Sequence, residues 1–341
     1  MLEIKFTINR EILLKPLQLV TAVIERRQTL PILSNLLIQL NDKNLSLMGT
    51  DMEVELNGRI ILEKSGESET TTAQARKRMD IYRSLPEGSD LQCGHSRFDL
   101  STLPATDFPI SEALDYHNEH LESVLSQKGL RSLIESTSFA MAQQDVRSYL
   151  NGMQWELSWG SLRDVATDGH RLALYVRDAN LMVDNQIIVP RKAIYELLRK
   201  RQLNNFLTKN QLRVQTQNYT FTSKLIDGTY PYYNRVIPKN GDETLEIDRD
   251  LFKSSPSRVG VLSNDKHKSV CIELKNYLLR IFANTLEHEE AEDLLDVSHR
   301  REDINIAFNI NYIIDVLHSL PSVLVKITLI STDESVRFEA K

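Results

Sequence analysis

A cluster of polar side chains near the middle of the chain, at residues 166–172 (ATDGHRL), is the strongest candidate for chemistry. Asp168 and Gly169 favour a tight turn, because Asp tolerates a left-handed backbone and Gly adopts it without steric cost. Alternating apolar residues on both sides predict flanking antiparallel strands. Two interpretations are open: the polar tip of a hairpin, or a hydrolase site built on Asp168 and His170. The hydrolase is disfavoured, because adjacent residues on a turn seldom converge on one reacting atom.

Other catalytic and ligand-binding motifs are missing from the sequence. It has no Gly-rich phosphate loop, no G-x-G-x-x-G, no H-E-x-x-H and no G-x-S-x-G. Cys93 and Cys271 lie far apart, without the spacing of a zinc site or a disulfide framework. The sequence therefore gives no indication of a metal site or of a nucleotide cofactor.

Length and composition indicate a globular protein of two or three domains, with 341 residues of which 41% are hydrophobic. No apolar run approaches the roughly 20 residues that span a membrane, and residues 1–6 do not resemble a signal peptide. A cytoplasmic protein without membrane contact is the expectation. The net charge of −6 argues against a protein that coats itself in nucleic acid, although net charge hides how the charges are distributed.

The pattern of elements recurs three times along the chain, with a period of roughly 116 to 122 residues. Each repeat reads as helix, strands, helix, strands. The pair Thr50-Asp51 in the first repeat corresponds to Thr167-Asp168 in the second. Strands joined by short turns outnumber the helices, which predicts an α+β fold: three repeated domains, each an antiparallel sheet covered by two helices. The predicted domains are residues 1–120, 121–243 and 244–341.

Basic residues recur on the predicted helices. On the second helix of the first repeat, Arg76, Asp80 and Arg83 fall at i, i+4 and i+7 and share one face. An isolated cation on a helix is usually just solvated, but recurrence on several helices favours one concave surface that contacts phosphates without reading bases. The corresponding residues are Lys192, Glu196 and Arg199, then Asn311, Asp315 and His318, with Lys15, Arg131 and Lys253 on the first helices.

Complementary patches lie near opposite ends of the chain. An acidic run that includes Glu289 and Glu290 belongs to the third repeat, whereas His95 and Arg97 alternate with Phe98 and Leu100 late in the first. Such complementarity suits head-to-tail association, which closes into a ring if the rotation closes. Pairing between copies would also cover exposed sheet edges.

Several longer motifs closely resemble the β sliding clamp of bacterial DNA polymerase III, and the resemblance runs from about Lys5 to Glu339. It implies a DNA clamp fold and a ring-shaped homodimer that encircles duplex DNA without sequence preference and tethers the replicative polymerase. It further implies binding of the clamp loader and repair proteins through short peptides. By the same resemblance the protein is not an enzyme and has no catalytic residues and no cofactor. The motifs are residues 29–35 (TLPILSN), 49–51 (GTD), 145–152 (DVRSYLNG), 166–172 (ATDGHRL), 189–192 (VPRK) and 221–228 (FTSKLIDG).

The resemblance also assigns sites by position. It implies DNA contacts at Arg27 and Gln144, beside the helical cations Arg76, Arg83, Lys192 and Arg199. It places Val261 and Leu262 opposite Phe98 and Leu100 in a dimer interface. In the implied peptide pocket, between the second and third domains, apolar residues receive a Leu or Phe anchor while His170 and Arg171 hold polar atoms of the peptide. The pocket positions are Arg147, Tyr149, Leu150, Thr167, Gly169, His170, Arg171, Leu172, Pro231, Arg235, Val236, Asn309, Tyr312 and Ser335.

The chain also departs from the family pattern. Family members continue past the strand at residues 336–339 into a short tail that forms one pocket wall, whereas this sequence stops at Lys341. It is also shorter than the family, by about one strand, near residues 92–94 and 205–208. These departures leave an alternative open: a protein-binding scaffold with the clamp fold that no longer closes round DNA. The oligomeric state separates the two.

Overall fold

The structure is a computed structural model. It describes residues 6–88, 100–111, 121–123, 127–179, 184–198, 204–207, 210–238, 244–262, 268–275, 277–284, 289–297, 304–329 and 335–341. Among these residues, no helix combines the length and apolar character needed to cross a membrane.

The order helix, strands, helix repeats three times, as predicted, and the described residues show strands after the second helix in the second and third repeats. The first repeat contains α1 (Arg10–Val23), β1 (Asn35–Thr50), β2 (Val54–Gln74) and α2 (Ala75–Ser84). The second contains β3 (Leu121–Ser123), α3 (Gln127–Thr137), β4 (Gly152–Ser158), β5 (Ser161–Thr167), β6 (Leu172–Asp178), β7 (Asn185–Pro190), α4 (Arg191–Leu198), β8 (Asn204–Leu207), β9 (Gln211–Gln215) and β10 (Tyr219–Lys224). The third contains β11 (Thr244–Asp248), α5 (Arg249–Val259), β12 (Ser269–Lys275), β13 (Leu278–Asn284), β14 (Glu290–Asp296), β15 (Ile304–Asn309), α6 (Ile310–Ser319), β16 (Leu324–Thr328) and β17 (Arg337–Ala340). The α+β prediction is confirmed.

Strands of the first two repeats share one sheet. Its order is β1-β2-β10-β9-β8-β3, and β2 pairs antiparallel with β10, with Leu56 opposite Phe221. Backbone hydrogen bonds therefore join the two repeats directly. The other sheets have the orders β6-β5-β4-β7, β11-β16-β17 and β14-β13-β12-β15.

The first hairpin is longer than the sequence predicts. The pattern predicts strands at 32–40, 45–49 and 51–62 with a turn at 41–44, but β1 runs through that turn and β2 continues to Gln74. The register shifts twice between Leu40 and Asn44, and Asp42 has a φ of 54°. A bulge thus absorbs the turn-forming residues, because one left-handed residue lets the ladder resume beyond it.

Three of the described helices begin at capping side chains. Asn9, Asp248 and Asn309 precede α1, α5 and α6, and each side chain accepts a hydrogen bond from a backbone N–H of the first turn. Capping of this kind satisfies donors that have no partner within the helix.

Arginines at helix starts join the two helices of a repeat. Arg10 donates from Nε to the Tyr82 carbonyl (2.9 Å) and from Nη2 to the Arg83 carbonyl (3.1 Å), at the end of α2. Arg249, which opens α5, donates to the carbonyl of Leu320 (2.9 Å), just after α6. A cation at a helix C-terminus satisfies free carbonyls and opposes the negative end of the dipole. The first and third repeats thus hold their helix pairs in the same way.

Contacts divide the chain into two units. The first unit comprises Met1–Ile134, Gln143–Asp164 and Val176–Gly228, and the second comprises Glu135–Ala142, Val165–Tyr175 and Thr229–Lys341. In the first unit α1 packs on β1 and β2, where a Cβ at Gly49 would lie only 2.9 Å from Val20 Cγ1. In the second unit α5 and α6 bury an apolar core that includes Phe252, Ile313 and Leu317.

Candidate functional site

The turn at residues 167–171 is closed by its own side chains. The Thr167 hydroxyl donates to the Arg171 carbonyl (2.7 Å) and accepts from the Gly169 N–H (3.1 Å). Asp168 Oδ1 accepts from the N–H groups of His170 (2.9 Å) and Arg171 (3.0 Å). Gly169 has a φ of 90°, a left-handed conformation that glycine adopts readily. Four hydrogen bonds therefore hold this turn in one shape.

The first repeat contains the same turn at residues 50–54. The Thr50 hydroxyl donates to the Val54 carbonyl (2.9 Å) and accepts from the Met52 N–H (3.1 Å). Asp51 Oδ1 accepts from the N–H groups of Glu53 (3.0 Å) and Val54 (2.8 Å). Met52 occupies the position of Gly169 and has a φ of 80°. The Thr-Asp pairs found in the sequence thus mark one repeated local structure.

Arg171 fixes the second turn to its surroundings. Its Nε donates to Asp168 Oδ2 (3.0 Å), Nη1 to Asp315 Oδ2 (2.6 Å) and Nη2 to the Phe139 carbonyl (2.7 Å). The guanidinium carbon also lies 4.4 Å from the ring centroid of Tyr312. Each nitrogen of the group therefore has a partner within the protein. Arg171 supports the turn in this structure, whereas its predicted role is to hold polar atoms of the peptide.

The segment at residues 230–236 lies against this turn. The buried Tyr230 hydroxyl accepts a hydrogen bond from the Thr167 N–H (3.0 Å). After it, Pro231, Arg235 and Val236 are exposed, with Val236 retaining 57% of its accessible surface. The Arg235 guanidinium stands 5.4 Å from the Tyr232 ring centroid. An apolar side chain beside polar ones is thus open to solvent here.

Ten of the predicted pocket residues lie on three linked segments of the second unit. These segments are the turn, residues 230–236 and the start of α6, where Asn309 caps the helix and Tyr312 lies under Arg171. Ser335 belongs to the same unit and is exposed ahead of β17. The ten residues are Thr167, Gly169, His170, Arg171, Leu172, Pro231, Arg235, Val236, Asn309 and Tyr312.

Three further predicted pocket residues belong to the first unit. Arg147 binds Asp145 through Nε (3.0 Å) and Nη2 (2.9 Å), and hydrogen bonds from Arg147 lower the pKa of Asp145 to about 2. Tyr149 is half-buried. Leu150 is only 1% exposed. Its side chain therefore lies in the core of this structure, whereas the resemblance implies an apolar residue that receives the peptide anchor.

The predicted DNA contacts differ in their exposure. Arg27, Arg76, Arg83 and Gln144 are exposed, as the prediction requires, although Arg76 also donates to the Ile24 carbonyl (3.2 Å). Arg199 lies outside the described residues. The predicted stripe is exposed on α2, where Asp80 also faces solvent.

The prediction for α4 was wrong in part. Glu196 is buried with Ala193 and Leu197 on the packed face of the helix, so it cannot belong to an exposed stripe. Lys192 binds the carboxylates of Asp51 and Glu25, with the Glu25 oxygen at 3.1 Å. Its charge is therefore already paired within the first unit.

The predicted dimer interface is described in part. Val261 is 79% exposed, Glu289 and Glu290 are exposed, and Leu100 and Leu262 are half-buried. His95, Arg97 and Phe98 lie outside the described residues. The next members of the acidic run are paired within the chain, Glu292 with Arg280 (2.7 Å) and Asp293 with Arg258.

Sequence reasoning missed two residues that organise the site. Asp315 belongs to the predicted helical stripe with Asn311 and His318, yet it binds Arg171. Tyr230 is not among the predicted site residues, yet its hydroxyl binds the turn. The signal for Tyr230 was present, because the corresponding residue in the first repeat is Phe108, which lacks a hydroxyl. Within the described part of the chain, no group of His, Cys, Asp or Glu is suited to hold a metal.

Replacing Arg171 by Lys should destabilise the second unit. Lysine keeps the charge but cannot reach three acceptors or stack on Tyr312, so we expect a loss of about 1 to 2 kcal/mol. Urea unfolding measures this change in the free energy of unfolding. The matched control is Arg235→Lys, on the exposed surface of the same unit, with an expected change below about 0.5 kcal/mol. Equal losses in the two variants would contradict the assigned role of Arg171.

Comparison with known families identifies the chain along nearly its whole length. Three family models match: the N-terminal domain of the DNA polymerase III beta subunit at residues 4–114, the central domain at 124–232 and the C-terminal domain at 234–341.

Similar proteins give the same result. The chain is 47% identical to the beta sliding clamp of Pseudomonas aeruginosa, covering 97% of this chain and 94% of the relative, and 44% identical to that of Escherichia coli K12, covering 98% and 95%. A crystal structure of the P. aeruginosa sliding clamp bound to griselimycin superposes with a TM-score of 0.92 at 45% identity, covering 99% of this chain and 96% of that one. The Caulobacter crescentus clamp superposes with a TM-score of 0.93 at 31% identity, covering 98% and 95%. The chain therefore belongs to the β sliding clamp family, the beta subunits of bacterial DNA polymerase III.

Proposed function

We propose that two copies of this chain close into a ring that encircles duplex DNA in the cytoplasm and tethers the replicative polymerase. The three domains would have the bounds predicted from the sequence. Membership of the family makes the chain a non-catalytic processivity factor of DNA replication. The observation that carries the proposal is the pairing of β2 with β10, which joins successive repeats through backbone hydrogen bonds. The same kind of strand pairing can join further repeats, including those of a second copy.

The exposed edge of the third repeat supports closure by a second copy. β14 follows β13 as β2 follows β1, yet β14 lies at the edge of its sheet. The turn that carries Val261, 79% exposed, packs beside β14. An open edge next to an exposed apolar side chain favours pairing with another chain. The proposed partner is the end of the first repeat in a second copy, where Leu100 lies.

Weak phosphate contacts would suffice for such a ring. The chain has a net charge of −6, but Arg27, Arg76 and Arg83 are exposed on or next to helices of the first repeat. Phosphate contacts of this kind are independent of sequence and weaken with salt. A closed ring does not need tight contacts, because it leaves DNA only by opening or by reaching an end.

The three linked segments of the second unit support a peptide site. Val236, Pro231 and His170 are exposed around a turn that internal hydrogen bonds hold rigid. Rigid surfaces that combine apolar anchors with polar rims favour binding of short peptides. The proposed ligands are segments of the polymerase, clamp loader and repair proteins. Griselimycin, which is bound in the P. aeruginosa clamp structure, should bind this chain too.

The topology of DNA retention tests the ring. We expect light scattering to give the mass of a dimer at micromolar concentration. After loading, the protein should remain on circular DNA and be lost once the circle is cut. Stable monomers, or equal retention on circular and linear DNA, would overturn the proposal and favour a scaffold of the same fold.

Removing the exposed helical cations should reduce the salt dependence of DNA binding. For Arg27→Ala, Arg76→Ala and Arg83→Ala combined, the slope of log K against log salt should fall by roughly 2 to 3, near 0.9 for each lost phosphate contact. The control removes equal charge from the sheets with Arg59→Ala, Arg213→Ala and Arg280→Ala. Fluorescence titration at several salt concentrations measures the slopes. Equal slopes in the two triple variants would contradict the assignment of Arg27, Arg76 and Arg83 as DNA contacts.

A charge at Val236 should remove an apolar contact between the proposed site and its ligand. We expect Val236→Asp to weaken griselimycin binding at least tenfold by calorimetry, because a buried carboxylate in an interface is costly. Val323→Asp is the matched control, since Val323 is also an exposed valine of the second unit. Unchanged affinity in Val236→Asp would exclude this residue from the site.

A further inference from the structure

We infer that Tyr230 is a positioning residue for peptide binding, whose hydroxyl holds the turn at residues 167–171 in its binding-competent conformation. This inference rests on the proposed peptide site. It concerns a residue that is 9% exposed and is therefore placed to act through the turn. The relevant contact is the hydrogen bond from the Thr167 N–H to the Tyr230 hydroxyl oxygen, 3.0 Å long.

The hydroxyl joins two of the segments that carry predicted pocket residues. Thr167 ends β5 and starts the turn, and Tyr230 immediately precedes the exposed Pro231. A residue before proline is restricted to an extended backbone, which limits how far Tyr230 can move. The bond therefore sets the distance between the turn and the segment that includes Val236.

The first repeat shows what this position looks like without the hydroxyl. Phe108-Pro109 corresponds to Tyr230-Pro231, since each pair follows a Ser-x-Leu motif at the same spacing. Phe108 is buried against Leu37 and Met48. The turn at residues 50–54 nevertheless makes the same four internal hydrogen bonds as the second turn.

The phenol is therefore not needed to form the turn. Phenylalanine fits the corresponding position, and the internal bonds form beside it. What the hydroxyl adds in the second repeat is an external attachment, made at the repeat that carries the proposed peptide site. Its function is to hold the turn relative to the neighbouring segment.

Loss of the hydroxyl leaves a buried N–H without its acceptor. A buried donor without a partner is unfavourable, so the turn shifts toward arrangements in which Thr167 finds another acceptor or water. A ligand that requires the original arrangement then binds only the fraction of molecules that retain it. The rate of association falls with that fraction, whereas the bound complex and its dissociation rate stay the same.

Hydrogen exchange in the free, full-length chain tests the attachment without any ligand. We expect Tyr230→Phe to speed exchange of the amides at residues 166–172 by roughly tenfold. Tyr232→Phe removes a hydroxyl from an exposed neighbour in the same segment and should leave that exchange unchanged. Unchanged exchange in Tyr230→Phe would overturn the inference.

Binding kinetics test the consequence for the site. The probe is a fluorescein-labelled synthetic decapeptide with a Leu-Phe pair as its apolar anchor. We expect Tyr230→Phe to lower its association rate roughly tenfold at an unchanged dissociation rate. Tyr277→Phe, at an exposed tyrosine of the same unit outside the three segments, should match the unsubstituted chain.

The outcomes separate the inference from the proposed function. A faster dissociation rate with unchanged association would show that the hydroxyl contacts the peptide itself, and would overturn the positioning role. If the unsubstituted chain fails to bind the decapeptide, the proposed peptide site fails, and the exchange experiment alone decides whether Tyr230 holds the turn.

Discussion

Backbone pairing between the first and second repeats is the constraint on which the rest of the structure depends. A sheet edge presents N–H and C=O groups that need partners, and β2 meets this need with a strand of the following repeat. Because the contact runs through backbone atoms, it places few demands on side-chain identity. The side chains of the joined strands are free to serve the apolar core on one face and solvent on the other.

Ion pairs reinforce the link between successive repeats. The turn carries the acidic residue in one pair and the basic residue in the other. In the first unit, the Asp51 carboxylate binds the Lys192 ammonium of α4. In the second unit, the Arg171 guanidinium binds the Asp315 carboxylate of α6. Each joins the Thr-Asp turn of one repeat to the second helix of the next. The position of the contact is thus retained while the acidic and basic residues exchange places. This is possible because the attraction between opposite charges does not depend on which residue carries which charge.

The sequence predicts features that depend on neighbours along the chain, and it fails where distant residues meet. The repeat order, the left-handed Gly169 and the exposed face of α2 all follow from local patterns. The burial of Glu196, the carboxylate partners of Lys192 and the core position of Leu150 depend on elements far away in the sequence. The hydrogen bond of Tyr230 is of this second kind, because it joins residues 63 positions apart. The repeats in the sequence help to find such distant contacts. Comparing Phe108 with its counterpart Tyr230 shows that the second repeat has one additional hydroxyl.

Met52 has a consequence for how such a chain changes over evolutionary time. A side chain in the left-handed region costs roughly 1 to 2 kcal/mol, yet the turn at residues 50–54 retains every internal bond of its glycine-containing counterpart. The Thr and Asp side chains therefore dominate the local conformation, and the central position can drift. Copies of an ancestral duplicated unit can then diverge in composition while their loops remain superimposable. One of these loops can specialise for recognition while its sister keeps a purely architectural task.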